Sequence, residues 1–194
     1  GGAAAAAADK DALLLRPGTE LAAAGYCMYG SATMLVITTG TSVDGFTLDP
    51  STGEFVLSHA NIRIPPFRNI YSVNEGNRKY WHDDVCAYVD EIKNADKPHS
   101  LRYVGSMVTD VHRTLMYGGI FMYPGDKKSK SGKLRLLYEG NPMAMLCEVA
   151  GGRAICAKGK RVLDVQPKSI HERTPIYLGS TQCVDQLEKH MKDE

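Results

Sequence analysis

A layered α/β fold is what this sequence predicts, on three observations. Beyond residue 67, short β-rich runs alternate with helix-patterned segments, the pattern of strands and helices stacked in layers. Before it, three runs rich in β-branched and aromatic residues, 32–39, 43–48 and 54–58, are punctuated by Gly40, Asp49-Pro50 and Gly53, as in an antiparallel meander. Between the two regions lies Ile64-Pro65-Pro66-Phe67, which lacks backbone donors at two successive positions and favours an extended chain. The sequence therefore divides into a flexible low-complexity segment (1–10), the final helix and meander of a first domain (11–66) and a C-terminal α/β domain (67–194).

The elements follow in order. The six alanines after Gly1-Gly2 favour helix but have no apolar face to dock, so so short a run is marginal. Pro17-Gly18 breaks any helix over 11–16, and Thr19 is suited to cap a second helix running toward Tyr29. After the meander come a strand at 70–73, a helix at 82–94, a strand at 100–103, a helix at 107–116 and a strand at 120–123. The alternating run 133–138 then predicts a strand with Lys133 and Arg135 on one face. Asn141 reads as an N-cap and Pro142 as the first residue of a helix that ends at Gly151-Gly152. A strand at 154–157 with a hairpin-like return through Val162, and a helix over 183–192, complete the chain.

Composition narrows the function classes. Of 194 residues, 43% are hydrophobic, enough for a substantial core, and 23 basic against 22 acidic residues give no global attraction to nucleic acid or an anionic membrane. Any anion site is local. The five cysteines are scattered with no C-x-x-C pair, which fits a reducing compartment rather than a disulfide framework or zinc site. No apolar run approaches the roughly 20 residues of a bilayer span, and the first nine residues lack a signal peptide's basic flank and apolar core. The default location is cytoplasmic.

The most informative segment is Gly132-Lys133-Leu134-Arg135-Leu136-Leu137-Tyr138-Glu139-Gly140-Asn141-Pro142-Met143-Ala144. It sets a lysine and a metal-capable carboxylate on either side of a strand-to-helix switch, where active-site groups of layered α/β proteins collect. On its own, the pattern equally suits an exposed strand face and a carboxylate that favours a helix dipole. The stretch resembles the signature of fructose-1,6-bisphosphatases. The resemblance continues through 23–34, Ile70-Tyr71-Ser72-Val73-Asn74-Glu75-Gly76 and 102–114, in the family's order and from about Asp11 onward.

That resemblance implies layered sheets and helices of the sugar phosphatase type, and hydrolysis of the 1-phosphate of fructose 1,6-bisphosphate to fructose 6-phosphate with Mg²⁺ as cofactor, Mn²⁺ or Zn²⁺ being possible. It further implies that Asn74, Tyr103, Tyr123 and Lys133 bind substrate, that Glu139 is a catalytic metal ligand, and that Arg102 enters a neighbouring subunit's phosphate pocket in a homo-oligomer, a tetramer. Lysine supplies a compact charge, tyrosine and asparagine supply directional donors, and a carboxylate suits Mg²⁺. Many family members have a tyrosine where this chain has Asn77.

The family's Asp-Pro-Leu-Asp-Gly-Ser metal motif is absent, and Leu48-Asp49-Pro50 is explained by a turn. With Gly1 in place of an initial methionine, the chain is expected to be the C-terminal part of a longer enzyme. Two rivals stand beside this expectation: a sedoheptulose-1,7-bisphosphatase and a non-catalytic sugar-phosphate-binding fragment. Asp110 and His112, two apart on a helix, do not face each other and receive no catalytic role.

Overall fold

The computed structural model describes residues 13–191. The 1–10 segment and the beginning of the helix expected over 11–16 lie outside the described residues; Leu13 and Leu14 are helical. The meander has four strands, β1 (Ala24–Tyr29), β2 (Thr33–Thr38), β3 (Val43–Asp49) and β4 (Glu54–His59), paired antiparallel in that order. The expected helix toward Tyr29 is thus corrected to a short 3-10 turn, Gly18–Glu20, followed by β1. Alanine's helix propensity is a weak prior. Here it loses to strand pairing that buries Ala24 and Tyr26 and brings Gly25 so close to β2 that an added Cβ would lie 2.9 Å from the Val36 carbonyl.

The rest of the chain supplies β5 (Ile70–Ser72), α1 (Asp83–Asn94), β6 (Ser100–Leu101), α2 (Met107–Tyr117), β7 (Ile120–Tyr123), β8 (Leu134–Arg135), α3 (Asn141–Val149), β9 (Arg153–Ile155), β10 (Arg173–Thr174), β11 (Ile176–Gly179) and α4 (Thr181–Glu188). Five strands form a mixed sheet in the order β6-β5-β7-β11-β9, while β8 and β10 make a separate pair. Strand alternation splits the interior into two cores. Phe121, Ile176 and Leu178 face α2, α3 and the meander, whereas Ile120, Met122 and Tyr177 face α1 and α4. The layers are therefore meander, helices, five-stranded sheet, helices. Glycine is required where β5, β7 and β11 pass most closely. A Cβ on Gly119, at φ +94°, would sit 2.3 Å from the Ile70 carbonyl oxygen.

The strand expected over 133–138 is only two residues long. A π-helical turn, Leu136–Gly140, runs directly into α3, so Asn141 is a buried helical residue (φ −61°, ψ −48°) rather than an N-cap. Leu136 and Gly140 are buried, and packing of these residues against the core favours the helical path over continued β-pairing. Among the described residues all five cysteines are free, and burial pushes the Cys147 thiol up to about 12.

One buried group gives the fold a pH dependence. His99, just before β6, has both ring nitrogens buried without hydrogen-bond partners and meets Phe67 edge-on at 5.7 Å. Burial holds its pKa below the ordinary 6.5. His112, half-buried against the meander beside His59 and accepting or donating at Nδ1 to the Tyr26 hydroxyl (2.8 Å), is lowered as well. Because the folded pKa is the lower one, the unfolded chain takes up protons first as pH falls, and stability present above 6.5 is lost below it. His99→Phe is expected to flatten that loss and to stabilise the protein by about 1 kcal/mol, since it removes an unsatisfied polar ring. Urea melts at neutral and mildly acidic pH check this; an unchanged pH slope excludes His99 as a source.

Candidate functional site

Strands β6, β5 and β7 run parallel to one another, so their carboxyl ends open on the same side of the sheet, where ligands of α/β proteins bind. The residues at or just beyond those ends are Tyr103, Asn74 and Tyr123. They line one cleft together with Asn77, Asp126 and Lys133, over a floor that includes Val73, Trp81 and Met122.

Each side chain is held there by local structure. The Asn74 side-chain oxygen accepts from Gly76 N at 3.1 Å and caps the 3-10 segment Glu75–Tyr80, leaving its NH₂ group as a donor. Tyr103 is half-buried, and burial, reinforced by Tyr123 and Asp110, raises its pKa above the usual 10.0. It stays protonated and is a hydroxyl donor at neutral pH. Lys133 is exposed and, among the described residues, has no ion-pair partner.

The loop leading to Lys133 is anchored to Tyr80 and Trp81. Asp126 bridges to Trp81, its Oδ1 accepts from Lys128 N (2.8 Å) and Ser129 N (2.7 Å), and Lys127 N donates to the Tyr80 carbonyl at 2.8 Å. The Lys128 ammonium lies 3.8 Å from the Tyr80 ring centroid, a cation–π contact. Sequence reasoning missed Asp126 and Trp81. The signal for Asp126 was local: an Asp after Gly125 and before two lysines suits an Asx-type turn that bonds the following amides.

Two expected site residues are not in the cleft. Arg102 is exposed beside it, its Nη1 donating to the Leu101 carbonyl at 2.9 Å. Glu139 lies on the π-helical turn, where Oε2 accepts from Arg135 N at 2.6 Å and Oε1 is 3.5 Å from the Arg135 guanidinium. A carboxylate is the right donor chemistry for Mg²⁺. Yet no group of three His, Cys, Asp or Glu side chains suited to a metal ion occurs among the described residues. They offer one candidate ligand and not a complete site.

Strand-end hydroxyls, amides and an unpaired ammonium line one groove of a layered α/β fold. The chain belongs to the fructose-1,6-bisphosphatase family. Sequence models of that family match it in order, the N-terminal domain over residues 4–60 and the C-terminal domain over residues 64–192. It is 59% identical over 184 residues to the cytosolic fructose-1,6-bisphosphatase of Brassica napus, covering 93% of this chain and 54% of that protein. To the fructose-1,6-bisphosphatase of Saccharomyces cerevisiae it is 54% identical over 183 residues, covering 92% and 53%. The crystal structure of Leishmania major fructose-1,6-bisphosphatase in holo form superposes with a TM-score of 0.93 at 51% identity, covering 96% of this chain and 59% of that one. The chain spans about half the length of the curated relatives it matches. No described helix is long and apolar enough to cross a membrane.

Proposed function

We propose that this chain carries the sugar-bisphosphate-binding part of a cytosolic fructose-1,6-bisphosphatase, acting in gluconeogenesis as a homo-oligomer. The observation that carries the reading is the convergence of Asn74, Tyr103, Tyr123 and the unpaired Lys133 on one cleft at the carboxyl ends of three parallel strands. Tyrosine hydroxyls and the asparagine amide donate directionally to phosphate oxygens, and Lys133, which has no ion-pair partner among the described residues, adds charge. In this reading Asn74, Tyr103 and Tyr123, with Arg102 from a neighbouring subunit, anchor the remote 6-phosphate, and Lys133 contacts the sugar phosphate nearer the reacting end. Anchoring the far phosphate orients the 1-phosphate for hydrolysis.

Glu139 contributes one ligand to Mg²⁺, which supplies Lewis-acid chemistry when bound, the remaining ligands coming from groups outside the described residues. The domain division at Pro65-Pro66 belongs to the same proposal. Although the boundary is extended, Ile62 and Ile64 are buried in the core shared by α3 and the meander, and Ile64 N donates to the Ala150 carbonyl at 2.9 Å. The two parts pack as neighbours.

The test is titration of this chain with fructose 1,6-bisphosphate by calorimetry, alongside sedoheptulose 1,7-bisphosphate and inorganic phosphate. Saturable binding with preference for the fructose ester is expected. Binding no tighter than that of inorganic phosphate overturns the reading, and preference for the seven-carbon sugar moves it to the sedoheptulose enzyme. Lys133→Ala should weaken binding roughly 10- to 150-fold, the worth of a charge-assisted hydrogen bond. An unchanged Kd would place Lys133 in solvent.

A further inference from the structure

Asp110 is fully buried in the first turns of α2, yet its carboxylate bonds outside the helix. Oδ1 accepts from Val104 N at 3.0 Å, and Oδ2 accepts from Gly105 N at 2.9 Å and from Val104 N at 3.2 Å. Oδ1 also receives Arg113 Nη2 at 2.8 Å, and that same Nη2 donates to the Arg102 carbonyl at 2.8 Å. The pair thus grips backbone groups of Arg102, Val104 and Gly105, on both sides of Tyr103. Little else holds this turn. The last bond to the sheet is Arg102 N to the Tyr71 carbonyl, at 2.9 Å. Ser106, at the N-cap of α2, makes no side-chain capping bond, and Gly105 sits at φ +90°.

We propose that Asp110, braced by Arg113, is a positioning residue that aims Tyr103 into the cleft and Arg102 away from it, and so sets substrate affinity without touching substrate. The proposal rests on the reading of the cleft as a sugar-bisphosphate site. Geometry separates it from a role in stability alone. A carboxylate serving only the helix would bond the N-terminal amides of α2, whereas this one bonds the two amides that follow Tyr103. A buried ion pair is in any case poor evidence for stability, and this one leaves Arg113 Nε buried without a partner. Alternation alone would not hold the two side chains apart, because β6 ends at Leu101, before both of them.

The experiment uses Asp110→Asn and, because a lone buried guanidinium threatens folding, the double variant Asp110→Asn/Arg113→Gln, which exchanges the ion pair for two amides. Tyr103→Phe and its combination with Asp110→Asn complete a cycle. Two quantities are read on the whole chain: hydrogen exchange at the Val104 and Gly105 amides, and the Kd for fructose 1,6-bisphosphate. Expected are faster exchange at those amides with the protection of the sheet retained, at least a fivefold loss of affinity in both Asp110 variants, and little further loss when Asp110→Asn is added to Tyr103→Phe. If Tyr103→Phe weakens binding while the Asp110 variants bind like wild type, the cleft reading stands and the positioning role falls. Losses that simply multiply in the combined variant also overturn it. A wild-type chain that does not bind the sugar bisphosphate overturns both.

Discussion

Glu139→Gln is expected to reduce Mg²⁺-dependent phosphate release by the active enzyme at least about 100-fold, the upper range for disturbing even the groups that support a metal ligand. The structure supplies a competing role for this side chain and therefore a discriminating measurement. Glu139 accepts the Arg135 N–H at the start of the π-helical turn and faces the Arg135 guanidinium, an ion pair whose members are 40% and 23% exposed. If that is all it does, glutamine keeps the acceptor and loses a partly exposed ion pair worth under about 1 kcal/mol. Thermal stability would fall slightly and turnover would hold. If Glu139 is a metal ligand, the amide keeps the shape and removes the anion, so turnover and Mg²⁺ affinity fall in addition. Titrating Mg²⁺ against each variant while following both heat of binding and melting separates the cases. Wild-type turnover at unchanged Mg²⁺ demand removes Glu139 from the site.

The same residue shows what the sequence could and could not convey. Strands 70–72 and 120–123 and the helices at 83–94 and 107–117 are close to their expected bounds because each carries its own periodicity and punctuation. At 133–141 periodicity misled: Lys133-Leu134-Arg135-Leu136 alternates like a strand, but pairing with β10 covers only Leu134 and Arg135, after which tertiary packing winds the chain. At 24–29 the local preference was helical, and the partner that overrides it, β2, is visible only once Thr33–Thr38 is known to pair. The cleft behaves similarly. Asn74, Tyr103, Tyr123 and Lys133 are far apart in sequence, and single residues gave no reason to join them. The family resemblance nominated them; the parallel alignment of three strand ends accounts for the meeting of Asn74, Tyr103 and Tyr123, and the loop anchored at Asp126 leads Lys133 to them. Asp126 and Asp110 carry no motif, since a carboxylate that bonds loop amides looks like any turn or helix-start aspartate until the loop is folded.

Arg102 supplies the second large effect. Its side chain is exposed and does not line the cleft that its neighbour Tyr103 lines, so in a single chain the groove has no arginine from this position. If the guanidinium serves a neighbouring subunit, Arg102→Ala and Lys133→Ala homo-oligomers should each be severely impaired, and mixing them with subunit exchange should restore activity. In a mixed pair, the Arg102→Ala subunit keeps its own Lys133 and receives an intact arginine from its partner, giving one complete pocket; the other pocket carries both defects. With random exchange of equal amounts, half the pairs are mixed and half of their pockets are complete, so about a quarter of wild-type activity is expected for a two-fold interface. Arg102→Lys should rescue poorly, because an ammonium keeps the charge but loses the planar fork that grips two phosphate oxygens. Mass spectrometry verifies that mixed oligomers have formed before rates are compared. Verified mixed oligomers with no more activity than the average of the two parents would confine Arg102 to its own chain, where its contact with the Leu101 carbonyl at 2.9 Å would be the whole of its role.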